Sequence, residues 1–234
     1  NMNKEELQKS NSEELGKWND EMVLKYHREG TLFESKNSIL QKLEKMRLKK
    51  IIKSAKLTLN DIVLDLGCGE GFLINMLPNI KRIFGIDISN IALKRATKLL
   101  ANKENIKLQW GDARKLEFTN ETFDKILCSE VLEHLPNPTE VIKEIHRTIK
   151  KNGLVIISVP DEKRLKLIMK IIHFFQLDKL LHAARKKEDY EWHLHEADKN
   201  FIYDICKNFF KVEKIYRTPP VLGYRFVAVL KKYE

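Results

Sequence analysis

An acidic residue and three glycines at alternate positions end an apolar run in residues 63–71, VLDLGCGEG. Because glycine lacks a Cβ, the backbone of such a loop turns sharply and approaches a ligand closely. A second apolar stretch ends about twenty residues later in Asp87, whose carboxylate is suited to accept hydrogen bonds from the two hydroxyls of a ribose. The order strand, glycine turn, helix, strand and acid predicts a nucleoside-binding α/β domain.

The spacing of these glycines, G-x-G-x-G after an acid, differs from the G-x-G-x-x-G turn of dinucleotide-binding domains. It resembles motif I of the class I S-adenosylmethionine-dependent methyltransferases. The resemblance implies S-adenosylmethionine as the cofactor and S-adenosylhomocysteine as the product. It also implies that the methionine end of the cofactor is held by Asp65, Gly67, Cys68, Gly69 and Gly71, and the ribose by Asp87 and Ile88.

A third apolar stretch, residues 106–110, ends in Gly111-Asp112-Ala113. Related methyltransferases have an acid at this place that accepts from the exocyclic amine of adenine, and the next residue donates from its backbone. The resemblance therefore implies that Asp112 and Ala113 bind the adenine ring. The alternative is that Gly111 and Asp112 only form a turn.

Residues 128–136, CSEVLEHLP, follow the fourth apolar stretch. They resemble the E-V-L-E-H-L signature of small-molecule methyltransferases, a group that includes the ubiquinone-biosynthesis O-methyltransferases. The resemblance covers about residues 60–160 and implies that Ser129 and Glu130 also contact the cofactor. The segment lacks the N/D-P-P-Y/F stretch of enzymes that methylate the exocyclic amines of nucleobases, which disfavours that substrate class.

Three histidines are candidate general bases, because the pKa of imidazole lies near neutral pH. His134 belongs to the signature, and His193 and His195 lie in residues 190–196, YEWHLHE, which border the substrate pocket in related enzymes. The structural alternative to a catalytic role is that these polar side chains only cap the neighbouring turn or the following helix. We expect no metal, and a divalent metal held by Glu130, Glu133 and His134 is a less favoured alternative.

The alternation of apolar strands and helices predicts a doubly wound, Rossmann-like α/β fold. Its sheet is expected to have seven mostly parallel strands with an antiparallel hairpin at the C-terminal edge. A single domain is expected to divide into an N-terminal helical cap (1–57), a cofactor-binding core (58–160), a substrate-cap insert (161–197) and a C-terminal helix with a β-hairpin (198–234). Predicted helices cover about 4–28, 35–56, 90–103, 138–150, 161–189 and 198–208, and later strands cover 154–159, 211–216 and 224–230.

Residues 163–187 within the insert are both basic and strongly apolar. A lid over an apolar or acidic substrate is the first interpretation of this segment. A helix at a membrane surface that collects a lipid-linked substrate is the second, and a packing helix in a homodimer or between domains is the third.

The composition sets limits on these interpretations. With 43% hydrophobic and 32% charged residues, the 234-residue chain is typical of a globular protein. No window of about eighteen apolar residues predicts a membrane span, and the polar N-terminus argues against a signal peptide. Three cysteines do not make a disulfide framework. We therefore expect a cytoplasmic protein.

The net charge of +10 raises the question of nucleic acid, since basic helices neutralise phosphates. Sparse aromatic residues and the lack of an RNA-binding module disfavour that partner. The sequence therefore predicts a methyltransferase that O-methylates a small or lipid-like acceptor by in-line transfer. An RNA methyltransferase and a non-catalytic cofactor-binding or interaction protein are the alternatives.

Overall fold

One seven-stranded sheet, in the order β3-β2-β1-β4-β5-β7-β6, forms the centre of the computed structural model, which describes residues 2–26, 38–174, 192–220 and 222–233. The first five strands are parallel, and β7 runs antiparallel to both β5 and β6. The predicted fold class is therefore confirmed. The strands are β1 (Ile62–Leu66), β2 (Arg82–Asp87), β3 (Ile106–Trp110), β4 (Phe123–Ser129), β5 (Ile149–Pro160), β6 (Phe210–Thr218) and β7 (Arg225–Lys232).

Helices cover both faces of the sheet. The helices are α1 (Lys4–Lys9), α2 (Ser12–Tyr26), α3 (Ser38–Ala55), α4 (Phe72–Met76), α5 (Asn90–Leu99), α6 (Pro138–Thr148), α7 (Glu162–Phe174) and α8 (Lys199–Cys206). Apolar side chains of α6 and α8 pack on one face of the sheet, and those of α3, α4 and α5 pack on the other. The central strand β1 and the second half of β5 are almost wholly buried, as is typical of parallel strands covered on both sides.

The single helix predicted for residues 4–28 is two helices. Asn3 and Asn11 each accept a hydrogen bond from the backbone three residues later, while Glu6 and Glu14 accept in return. Two reciprocal caps of this kind begin two separate helices. The backbone of Ser10 is extended between them.

The boundary between α6 and β5 also differs from the prediction. Asn152-Gly153 was expected to end the helix, but α6 ends at Thr148 and β5 already begins at Ile149. The register between β4 and β5 shifts between Phe123 and Lys125, so the extra residues of β5 interrupt the regular pairing of the two strands. The expected cap, Asn137, makes no side-chain capping bond with the described residues.

The helices α1 and α2 lie over the carboxyl edge of the sheet. Leu7, Leu15 and Trp18 form a buried cluster that packs against Ile88, just after β2, and against Leu194. Lys4 donates a 2.8 Å hydrogen bond to the carbonyl of Leu194. The N-terminal helices and the segment around residue 194 thus cover the same edge.

The helix α7 opens the predicted insert and ends at Phe174. The remainder of the predicted helix to residue 189 falls in 175–191, outside the described residues. In the described part of the chain, no helix has the length and apolar character needed to cross a bilayer.

A buried ion network joins α3 to the sheet. Arg225, the first residue of β7, lies 3.0 Å from Glu44 of α3 and 2.6 Å from Glu130 after β4. Glu44 also lies 2.9 Å from Arg47. Two carboxylates and two guanidinium groups alternate, so each buried charge has an opposite neighbour.

Replacing Arg225 with methionine should lower the free energy of unfolding by about 3–5 kcal/mol, because Glu44 and Glu130 lose their shared cation inside the protein. The control is Lys207→Met, since Lys207 lies 3.5 Å from Asp204 and the two side chains are 63% and 71% exposed. That change should cost less than about 1 kcal/mol. Urea unfolding of both variants measures the difference, and equal losses would contradict the role of the buried network.

Candidate functional site

The glycine loop lies between β1 and α4 in a conformation that side chains disfavour. Gly67, Gly69 and Gly71 have φ values of 71°, 51° and 84°. A Cβ on Gly67 would overlap the side chain of Val131, and one on Gly71 would lie 2.9 Å from Leu100. The loop therefore requires glycine at both positions, for its backbone angle and for close packing.

Asp65 occupies β1 just before the glycine loop and is 2% exposed. Its Oδ2 atom accepts no hydrogen bond from any residue that the structure describes. Burial raises the pKa of Asp65 to about 7, and the neighbouring charge of Asp87 adds to the increase. A buried carboxylate without a partner costs free energy unless a cation or donor compensates it. An ammonium group of a ligand would be both a cation and a hydrogen-bond donor for this carboxylate.

Asp87 ends β2 and faces the same loop. Its carboxylate accepts from the backbone N–H of Gly69 at 2.7 Å and of Ser89 at 2.9 Å. Burial raises the pKa of Asp87, although these two bonds oppose the increase. The carbonyl of Ile88 accepts from the indole of Trp110 at 2.8 Å. The carboxylate of Asp87 thus joins the glycine loop after β1 to the loop after β2.

Asp112 follows β3 and is already engaged within the protein. It accepts from Arg114 at 2.7 Å and from the hydroxyl of Ser12 at 2.8 Å. Burial opposes ionisation, but the hydrogen bonds from Arg114 and Ser12 hold the pKa of Asp112 below its usual value. The adjacent Ala113 is half-buried against the core. An adenine amine would have to share Asp112 with Arg114.

Ser129 ends β4 and contacts the ion network, to which the next residue, Glu130, belongs. The hydroxyl of Ser129 contacts Arg47 and lies 3.0 Å from the hydroxyl of Ser158. Glu130 accepts from Ser158 at 3.0 Å and from Arg225 at 2.6 Å. Burial opposes ionisation of Glu130, yet the charges of Arg225 and Arg47 lower its pKa to about 2. Glu130 is therefore an ionised group committed to Arg225.

Glu133 lies one turn further and is fully buried. Neither of its carboxylate oxygens has a hydrogen-bond partner in the described part of the chain. Burial and the charge of Glu130 raise the pKa of Glu133 well above its usual range. Like Asp65, Glu133 is a buried acid that a cation or a donor would stabilise.

His134 and His193 come together, although they lie far apart in the sequence. Their ring centroids are 4.8 Å apart. Nδ1 of His134 lies 3.1 Å from the carbonyl of Trp192, and Nδ1 of His193 lies 2.9 Å from a carboxylate oxygen of Glu162. Because both partners accept, Nδ1 is the donor in each neutral ring and Nε2 is the acceptor.

His195 has a different environment. Its Nε2 lies 2.9 Å from the carbonyl of Leu135, and its ring is 5.5 Å from that of Phe201. Burial lowers the pKa of His195, and the charge of Lys4 acts in the same direction. The structure therefore groups His134 with His193 and holds His195 against Leu135.

Glu133, His134 and His193 have the donor set of a divalent metal site. One ligand atom from each residue lies within 4.8 Å of the others. Two imidazoles and a carboxylate suit a transition metal, and the carboxylate of Glu133 would gain a counter-charge. The third expected member of such a set, Glu130, faces Arg225 instead.

Sequence reasoning missed Glu162, the partner of His193. Glu162 opens α7 and lies 31 positions before His193 in the chain. It is 5% exposed, and no local pattern pairs it with a histidine. The one signal available was an acid placed directly after Pro160-Asp161, where β5 ends.

Comparisons with known proteins agree with this geometry. The family described as a methyltransferase domain matches residues 57–210. The ubiquinone biosynthesis O-methyltransferase of Rickettsia typhi is 31% identical over 140 residues, which are 57% of this chain and 56% of that protein. The demethylmenaquinone methyltransferase of Staphylococcus epidermidis is 30% identical over 146 residues, 59% of this chain and 60% of that protein. The matched region thus spans less than two thirds of either relative.

Among solved structures, the magnesium protoporphyrin IX methyltransferase of Synechocystis PCC 6803, determined with bound SAH, has a similar fold. Its TM-score is 0.66 at 16% identity, and the match covers 95% of this chain and 100% of that chain. At this identity the similarity concerns the fold.

Replacing Asp65 with asparagine should remove a pH dependence of stability in the protein without ligand. Between about pH 4 and pH 7, the folded protein keeps a proton on Asp65 that the unfolded chain has released. The free energy of unfolding should therefore fall as the pH rises through this window. We compare the free energy of unfolding of the variant with that of the unsubstituted protein. This difference should be more favourable to the variant at pH 8 than at pH 4, by on the order of 2–4 kcal/mol.

Urea unfolding at several pH values measures this gain. Asp124→Asn is the control, because hydrogen bonds from Lys150 and Ile62 lower the pKa of Asp124 despite its partial burial. That variant should lose stability at neutral pH. Parallel pH curves for Asp65→Asn and the unsubstituted protein would contradict the assignment.

Proposed function

The chain belongs to the methyltransferase-domain family, whose cofactor is S-adenosylmethionine, and we propose that it transfers the methyl group to a small or lipid-like acceptor. The observation that carries this proposal is the buried carboxylate of Asp65 beside a glycine loop, whose Oδ2 accepts no hydrogen bond from the described residues. The α-ammonium group of the cofactor would supply the missing counter-charge. Asp87, one strand away, is suited to the ribose hydroxyls.

The cofactor supplies an electrophilic methyl group on a sulfonium centre. The protein's task is then to hold the acceptor in line with that methyl group and to exclude water, which can supply about 7–11 kcal/mol of the barrier. The residues suited to the cofactor are Asp65, Gly67, Cys68, Gly69, Gly71, Asp87, Ile88, Asp112, Ala113, Ser129 and Glu130. Of these, Ser129 and Glu130 act through the ion network that fixes the end of β4.

We assign the acceptor side of the site to His134 and His193. For a hydroxyl acceptor, Nε2 of His193 would take the proton, and Glu162 would stabilise the resulting imidazolium. The name of the Rickettsia typhi relative supports an O-methyl acceptor of quinone type. The name of the Staphylococcus epidermidis relative supports a lipid quinone and leaves the accepting atom open.

A divalent metal at Glu133, His134 and His193 is the alternative use of the same residues. Such an ion would bind the acceptor oxygen and lower its pKa, so that no separate base would be needed. The oxygens of Glu133 accept no hydrogen bond from the residues described, which favours a cation at this place. Metal and base are thus competing roles for His134 and His193.

The membrane contact predicted for residues 163–187 is a proposal that concerns the described part of this segment, 163–174. Leu167, Ile171 and Phe174 lie on one side of α7 and are 56%, 48% and 80% exposed. Exposed lysines flank them. This face suits a contact with an acidic bilayer during uptake of a lipid-like acceptor. The homodimer and the cytoplasmic location stay predictions.

S-adenosylhomocysteine at about 100 times its dissociation constant should stabilise the protein by about 2.7 kcal/mol, and NADH should not. Asp87→Ala should abolish this stabilisation, because the ribose loses its acceptor. Asp204→Ala is the control, since the side chain of Asp204 is 71% exposed on α8. Thermal unfolding measures the shifts. Stabilisation of Asp87→Ala equal to that of the control would refute the ribose assignment.

His193→Ala should lower kcat for methylation of a demethylated quinol by about 10²–10⁴-fold. Binding of S-adenosylhomocysteine should be unchanged, because His193 acts on the acceptor. His195→Ala is the control from the same segment and should keep most of the activity. Transfer of a labelled methyl group measures both variants, and full activity of His193→Ala would exclude it as the base.

A further inference from the structure

An open cavity of about 540 Å³ lies between α7, the first turn of α8 and the β6–β7 hairpin. The described residues that line it include neither the glycine loop nor His134 and His193. Its size falls within the range of cavities that bind small molecules, about 300–1,000 Å³. The cavity is thus separate from the site described above.

One wall of the cavity is apolar and exposed. Leu167 and Ile171 are one helical turn apart on α7, with exposed fractions of 56% and 48%, and Leu222 from the hairpin is 37% exposed. Phe226 of β7, which is 3% exposed, also belongs to the lining. These side chains give the cavity an apolar wall that a hydrocarbon group could cover.

The rim of the cavity is cationic. Two carboxylates in the lining are matched by two cations, since Asp161 lies 3.1 Å from Arg217 and Asp198 lies 3.1 Å from Lys163. Arg164 and Lys199 add two further positive charges to the lining. The cavity therefore combines an apolar wall with an excess of positive charge.

We propose that this cavity binds a single anionic amphiphile, a molecule with a phosphate or carboxylate head and a hydrocarbon chain. The head contacts Arg164 and Lys199, and the chain lies along Leu167, Ile171 and Leu222. A neutral chain would leave the cationic rim without a counter-charge, and a small anion would leave the apolar wall in water. Only a ligand with both parts satisfies the whole lining.

The test uses the full chain and three dispersed probes in isothermal titration calorimetry. Octyl phosphate below its micelle concentration has both parts, octyl glucoside has the chain without charge, and inorganic phosphate has the charge without the chain. We expect octyl phosphate to bind and the other two to bind at least about tenfold more weakly. Equal binding of either single-part probe would overturn the proposal.

Matched variants locate the site. Lys199→Glu should weaken octyl phosphate binding by about fivefold or more, because it reverses a rim charge. Lys170→Glu makes the same change on an exposed position of α7 outside the lining and should have little effect. Leu167→Asp should weaken binding by about tenfold. Its control is Leu99→Asp, at a 40% exposed leucine of α5. Equal effects within either pair would overturn the location.

Two further measurements separate this proposal from others. Binding of S-adenosylhomocysteine to the same samples shows whether the protein is folded and competent. If the unsubstituted protein binds S-adenosylhomocysteine but not octyl phosphate, only the amphiphile site is refuted. Vesicles of acidic and of neutral lipid are the last comparison. Binding to acidic vesicles without any binding of dispersed octyl phosphate would overturn the cavity proposal in favour of a surface contact.

Discussion

The burial of several carboxylates at the carboxyl edge of the sheet is the constraint on which the rest of the structure depends. Each buried carboxylate must find a cation or a donor, or else hold a proton. The protein meets this requirement for Glu44 and Glu130 with its own guanidinium groups. Among the residues described, Oδ2 of Asp65 and both carboxylate oxygens of Glu133 accept no hydrogen bond, although Nε2 of His134 lies 4.0 Å from Glu133. The second pair is therefore where a cationic ligand would bind most favourably.

The helices and strands around this edge bring the paired charges together and cover them. Arg225 lies at the start of β7 because the antiparallel strand pairs with the end of β5, beside Glu130. The helix α3 brings Glu44 and Arg47 to the same place, and α1 and α2 cover the loops after β2 and β3. Exclusion of water by these helices strengthens every charge interaction beneath them.

Local patterns made the sheet and the loop residues predictable. The glycines of the first loop, the acids near the ends of β1 and β2 and the acid after β3 lie where apolar runs end, and parallel strands bring such ends to one edge. Partners distant in sequence were not predictable: Glu162 pairs with His193 across 31 positions, and Glu130 pairs with Arg225 across 95. The predicted helix boundaries were wrong in two places. Side-chain caps divide the helix at Ser10, and an irregular register lies where the helix was expected to end at Gly153.

The affinity for S-adenosylhomocysteine as a function of pH tests the central claim most directly, because binding of an ammonium group beside Asp65 must displace the proton that burial retains. With a pKa of about 7 for Asp65 before binding, the affinity should rise with pH up to about 7 and then level off, with release of a proton on binding below pH 7. The dependence should disappear in Asp65→Asn, together with most of the affinity. An affinity that is independent of pH between about 5 and 8, or tight binding by Asp65→Asn, would contradict the account.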